Sequence, residues 1–84
     1  MVSLPPELAA KVEHAPNAPV DLIVRVKDDP SAHVHELESL GWIVRRTFSL
    51  TPSVAIKGPA SASLALANKN WVLAIEEDKP VHTM

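Results

Sequence analysis

A chain of 84 residues allows one domain, and a domain this small buries only roughly 60–65% of the surface of its unfolded form, so its stability is thin. Cysteine is absent, which removes disulfide staples and thiolate metal sites and leaves the redox compartment open. The net charge of −2, with both signs interspersed, gives no strong field, so neither nucleic acid nor a membrane is expected as a partner.

Prolines at positions 5, 6, 16 and 19 surround a short helical stretch, Pro6 to His14, with prolines in its first turn. Residues 1–18 are therefore expected to be an appendage carrying one short helix. From Val20 the pattern alternates: Val20, Leu22, Val24 and Val26 point one way and Asp21, Ile23, Arg25 and Lys27 the other, which predicts a strand. Asp28-Asp29-Pro30 opens a helix with Asp29 as N-cap and Pro30 at the first helical position. Val34, Leu37 and Leu40 follow at helical spacing, and Gly41 supplies a left-handed stop.

Alternation resumes from Trp42 to Leu50, with Trp42, Val44 and Phe48 on one face. Thr51-Pro52-Ser53 then marks a turn into a strand from Val54 to Lys57, giving a hairpin. Gly58-Pro59 punctuates the start of a small-residue helix over 60–68, with Leu64 and Leu66 as its large apolar side chains. Trp71 to Glu77 reads as the last strand, with Trp71, Leu73 and Ile75 on one face and Val72, Ala74 and Glu76 on the other.

The order is β-α-β-β-α-β, a ferredoxin-like α+β two-layer sandwich: a four-stranded antiparallel sheet with two helices on one face. The other face is left uncovered. With Val24, Val26, Val44, Phe48, Val54, Ile56, Leu73 and Ile75 toward the helices, the uncovered face holds Ile23, Ile43, Ala55, Val72 and Ala74 amid Asp21, Arg25, Arg45 and Thr47. A merely solvated face is normally more polar, so this one is expected to dock something. Beyond the last strand come Lys79 and Pro80 and then the uncharged run Val81, His82, Thr83, Met84. Pro80 biases that segment toward an extended shape suited to binding in a cleft.

These features together resemble the inhibitor I9 family, the propeptides of subtilisin-type serine proteases and their stand-alone relatives. The similarity runs over about residues 20–84. Its most specific part is Val72-Leu-Ala-Ile-Glu-Glu-Asp78, which is similar to the family's closing strand, V-x-x-V-E-x-D, followed by a six-residue tail. The resemblance implies an inhibitor domain over 19–78 and an inhibitory tail over 79–84. The open face, with Ile23, Ile43, Ala55, Val72 and Ala74, would pack on two surface helices of the protease. Glu76 and Asp78 would cap the N-termini of those helices, and Val81, His82, Thr83 and Met84 would lie product-like in the active-site cleft. Met84 would occupy the primary specificity pocket. Such a protein serves as an inhibitor in trans, or in cis as a propeptide that also templates folding, and is a monomer when free. If the chain is complete it is expected in the cytoplasm; if it is excised from a longer precursor, it is secreted.

No enzymatic activity, cofactor or metal is expected. His33 and His35 are two apart on a helix and do not share a face, while His14 and His82 are distant in sequence. The serines lie in no nucleophile-elbow context. Trp42 and Trp71 read as core residues, and Ser53 to Lys57 lacks the aromatics of an RNA-binding sheet. From another class, the alternative is a non-enzymatic ferredoxin-like domain whose open face binds a ligand or a second copy.

Overall fold

The computed structural model describes residues 2–78. Helix α1 (Pro6–His14) leads into strand β1 (Pro19–Val26), and a 3₁₀ turn over Pro30–His33 opens helix α2 (Val34–Ser39). Strands β2 (Ile43–Phe48) and β3 (Ser53–Pro59) form a hairpin. A second 3₁₀ turn, Ala60–Ala62, opens helix α3 (Ser63–Ala67), and β4 (Val72–Glu77) completes the sheet. The strand order is β2-β3-β1-β4, antiparallel at every junction. With helices supplying one layer, this is the ferredoxin-like sandwich that the sequence predicts.

Local chemistry accounts for the boundaries. Asp29 caps the first helical turn by accepting from the Ser31 amide at 3.0 Å and the Ser31 hydroxyl at 2.7 Å. Gly41 takes φ of 98°, and the Trp42 amide donates to the Leu37 carbonyl at 3.1 Å, which closes the helix and turns the chain into β2. Both central helices begin as 3₁₀ turns, tighter than the sequence suggests.

The core lies between the helices and one face of the sheet. Val20, Leu22, Val24 and Val26 of β1 join Val54 and Ile56 of β3, Leu37, Leu66, Val72 and Ile75, with Trp42 and Trp71 closing its ends. Each fully buried aliphatic side chain is worth ~1.5–3 kcal/mol. Trp42 lies against Gly58, where a Cβ would come within 2.6 Å of the ring. Trp71 stacks on His33, centroids 4.0 Å apart and planes 9° from parallel. His33 Nε2 in turn donates to Asp28 Oδ1 at 2.5 Å.

The N-terminal segment, expected as an appendage, is built into this core. Leu8 of α1 is fully buried, the Val2 amide donates to the Ala67 carbonyl at 3.0 Å, and Lys11 Nζ donates to Glu77 Oε2 at 3.0 Å. A domain short of apolar surface thereby recruits a third helix.

Two β-bulges correct the predicted faces. Between β2 and β3 the pairs run Ile43–Lys57, Val44–Ile56, Arg46–Ala55, Thr47–Val54 and Phe48–Ser53, so Arg45 is the extra residue. An extra residue reverses the in–out phase beyond it. Phe48 therefore stands on the open face and Thr47 on the helix side, the reverse of what alternation from Trp42 predicts. Between β1 and β4 the pairs run Val24–Ile75, Arg25–Ala74 and Val26–Val72, with Leu73 extra. Val72, expected on the open face, is in the core at 5% exposure, while Leu73, expected in the core, is 58% exposed.

Candidate functional site

Cross-strand partners share a face, so the register maps the side of the sheet that the helices leave open. One row holds Ile43 on β2, Lys57 on β3 and Asp21 on β1. The next holds Arg46, Ala55, Ile23 and Glu76, and the third holds Phe48, Ser53, Arg25 and Ala74. Of the apolar residues expected here, Ile23, Ile43, Ala55 and Ala74 are in place and Val72 is not. Ile43 is 64% exposed; Ala55, 7% exposed, stands apart from the core cluster and forms the floor of the face.

Glu76 lies opposite Ile23 and is exposed. The Asp78 amide donates to the Asp21 carbonyl at 2.8 Å, which carries the β1–β4 ladder one step past Glu77 and fixes the backbone from which the Asp78 side chain departs. Alternation then separates the three carboxylates. Glu77, opposite Leu22 on the helix side, is held by Lys11 with its side chain 8% exposed. Glu76 and Asp78 remain on the open side. Val81, His82, Thr83 and Met84 lie outside the described residues.

Charge is distributed unevenly across this face. Glu76 and Asp78 stand at the β4 end, Arg45, Arg46 and Lys57 on β2 and β3, and Arg25 on β1, opposite Ala74, places a further cation beside β4. Asp21, opposite Lys57, accepts from Arg45 Nη1 at 3.0 Å. Both partners of that bridge are partly exposed, so it contributes at most about 1 kcal/mol. Arg46 Cζ sits 5.9 Å from the centroid of the Phe48 ring, within cation–π range. Ile23, Arg45, Arg46, Phe48, Ala55 and Asp78 line an open-topped cavity of about 360 Å³. Arg46 and Phe48 escape a reading by alternation because only the register reveals the bulge that brings them here.

Among the described residues no group of three or more His, Asp or Glu side chains is arranged to hold a metal ion, and no helix is long and apolar enough to cross a membrane. The helix-side His33–Asp28 pair and the Glu36–Lys69 bridge at 2.7 Å tie the α2 region to the chain around Trp71. Compared with known proteins, the sequence matches no protein-family model and no curated protein.

Proposed function

We propose that this domain is a proteinaceous inhibitor of a subtilisin-like serine protease, or the propeptide of one. The observation that carries the reading is the pairing of two features on one side of the sheet. A half-apolar floor of Ile23, Ala55 and Ala74 lies beside two carboxylates, Glu76 and Asp78, at the end of β4.

The chemistry follows from that layout. A helix N-terminus has unpaired N–H groups and roughly half a positive charge, so a carboxylate there is worth ~0.3–2 kcal/mol. Two neighbouring helices of a protease, packed on the floor with their N-termini at Glu76 and Asp78, satisfy both acids and cover the apolar surface. Val81 to Met84 then continue from the docked strand into the substrate cleft as an extended segment. Acting in cis, the same surface favours protease conformations in which the helix pair is formed, which is how a binder of the native state templates folding.

The test is titration of the purified protein against a panel of subtilisin-type proteases, beside a variant lacking residues 81–84. Inhibition of at least one protease by the full chain, with loss of most potency in the shortened but folded variant, is the expected result. Full activity of every protease in the presence of excess protein, with no complex on size exclusion, overturns the reading. A stable dimer in the same experiment favours the oligomerisation alternative.

A further inference from the structure

We infer that the depression on the open face is a binding site for a free α-amino acid with an apolar side chain, held as its zwitterion between Arg46 and Asp78.

Two departures from a regular sheet bring opposite charges to one cavity. On an unbroken strand, consecutive residues point to opposite faces. Here the bulge leaves Arg45 without a partner on β3 and sets Arg46 opposite Ala55 on the open side, and both residues line the cavity. At the other edge of the sheet, the Asp78 amide donates to the Asp21 carbonyl at 2.8 Å. That extra rung brings Asp78 to the same cavity. Arg45 is answered by Asp21. Arg46 and Asp78 have no ion-pair partner among the described residues, and they are not bridged to each other although they border one space of about 360 Å³. The contact of Arg46 with the Phe48 ring reduces the freedom its guanidinium gives up on binding. Glu76 and Arg25 stand on the same face but do not line the cavity.

This mixed lining selects the ligand. A lone carboxylate meets Arg46 but is repelled by Asp78, and a lone amine meets Asp78 but is repelled by the two arginines. A small molecule that carries both groups satisfies both walls in one orientation and sets like charges together in the reverse one. The planar fork of a guanidinium suits the carboxylate, and the Asp78 carboxylate accepts from the ammonium. The rest of the lining is apolar: Ile23, Phe48 and Ala55, with Ala55 as the floor. An aliphatic side chain laid against it leaves water. The volume is near the lower end of the ~300–1,000 Å³ of small-molecule sites, a size for one amino acid.

The experiment is an NMR titration of the free domain with L-leucine, with N-acetyl-L-leucine, which lacks the ammonium, and with L-leucinamide, which lacks the carboxylate. It is repeated on Arg46→Ala and Asp78→Asn, both changes of exposed residues, with thermal melts to confirm folding. L-leucine is expected to shift the Ile23 and Ala55 amides saturably at millimolar concentration. Each blocked compound should bind about tenfold more weakly or worse, having lost one charge-assisted hydrogen bond. Arg46→Ala should weaken L-leucine by a similar factor and abolish its advantage over L-leucinamide. Asp78→Asn should abolish its advantage over N-acetyl-L-leucine. The site is wrong if L-leucine gives no saturable shift, if the three compounds bind within about twofold of one another, or if both variants keep wild-type affinity. No protease is present in the titration, so its outcome is independent of the inhibitor reading.

Discussion

Replacing Gly58 by alanine tests whether the hairpin is locked onto the core by the Trp42 ring. A Cβ at this position lies 2.6 Å from Cε3, 3.0 Å from Cζ3 and 3.2 Å from Cδ2 of Trp42, well inside the ~3.5–4.0 Å at which carbon atoms attract. Two terms of opposite sign compete. Gly58 is not in the left-handed region, so alanine fits the backbone and restricts the unfolded chain, which favours folding by about 0.4–1 kcal/mol. Against this stands an overpacking cost of about 1–3 kcal/mol, at the upper part of that range because Trp42 is 2% exposed and its ring has no flexible end to move aside. The net loss is about 1–2 kcal/mol, a fall in Tm of roughly 4–16 °C for a domain of this size. Calorimetry of wild type, Gly58→Ala, Trp42→Leu and the double variant measures it as a cycle. The penalty of Gly58→Ala should vanish when the ring is removed. An unchanged or raised Tm in the single variant, or an equal penalty in the Trp42→Leu background, refutes the reasoning. Because Gly58 faces the helix side, protease inhibition should be unaffected wherever the variant is folded.

Glu76→Ala and Asp78→Ala are each expected to weaken protease binding by on the order of 1 kcal/mol, the size of a cap interaction, while leaving Tm unchanged; equal dissociation rates for both variants and wild type would remove the capping role. Lys11→Ala strands the Glu77 carboxylate, whose Oε1 already has no hydrogen-bond partner among the described residues. A loss of about 1–2 kcal/mol is expected in urea titrations, and Glu77→Gln in the same background should recover part of it. The Asp29 carboxyl is held below its ordinary value of 3.8 chiefly by the Ser31 hydroxyl, and Glu36 below 4.5 chiefly by Lys69. Each binds fewer protons in the folded chain than in the unfolded one, so the stability it contributes is complete above those values and is lost as pH falls through the lowered ones. Urea midpoints should therefore drop on acidification below about pH 4.5, and a shallower drop is expected for Asp29→Asn combined with Glu36→Gln; identical slopes would contradict it.

The parts of this fold legible in the sequence are those where a local rule operates without interruption. Val20, Leu22, Val24 and Val26 alternate through a strand with no irregularity toward β3, and their burial follows from the pattern alone. Asp29-Pro30 and Gly41 declare a helix start and stop by their own chemistry. Glu76 and Asp78 fall on the open side as alternation predicts. Sequence reading fails where a long-range constraint resets the phase. One extra residue at Arg45 exchanges Thr47 and Phe48, and one at Leu73 exchanges it with Val72. Neither bulge is marked by a glycine. Leu8 reaches the core only because the chain between α1 and β1 folds back, with Ser61 and Ala60 donating to the carbonyls of Pro16 and Ala18. The His33–Trp71 stack joins residues far apart in sequence, and no local pattern encodes it.

The strand order has a kinetic consequence. Strand β1 is synthesised first of the four and lies inside the sheet, yet one of its neighbours, β4, is synthesised last, with Leu22 registered against Glu77. At ~5–20 residues per second, a nascent chain carries β1 for seconds with that side unsatisfied. Only the β2–β3 hairpin can assemble from adjacent sequence, so the sheet stays partly built until β4 emerges. Closing such a distant pairing is slow, and any surface that bound only the finished sheet would then act as a trap for the late-forming state.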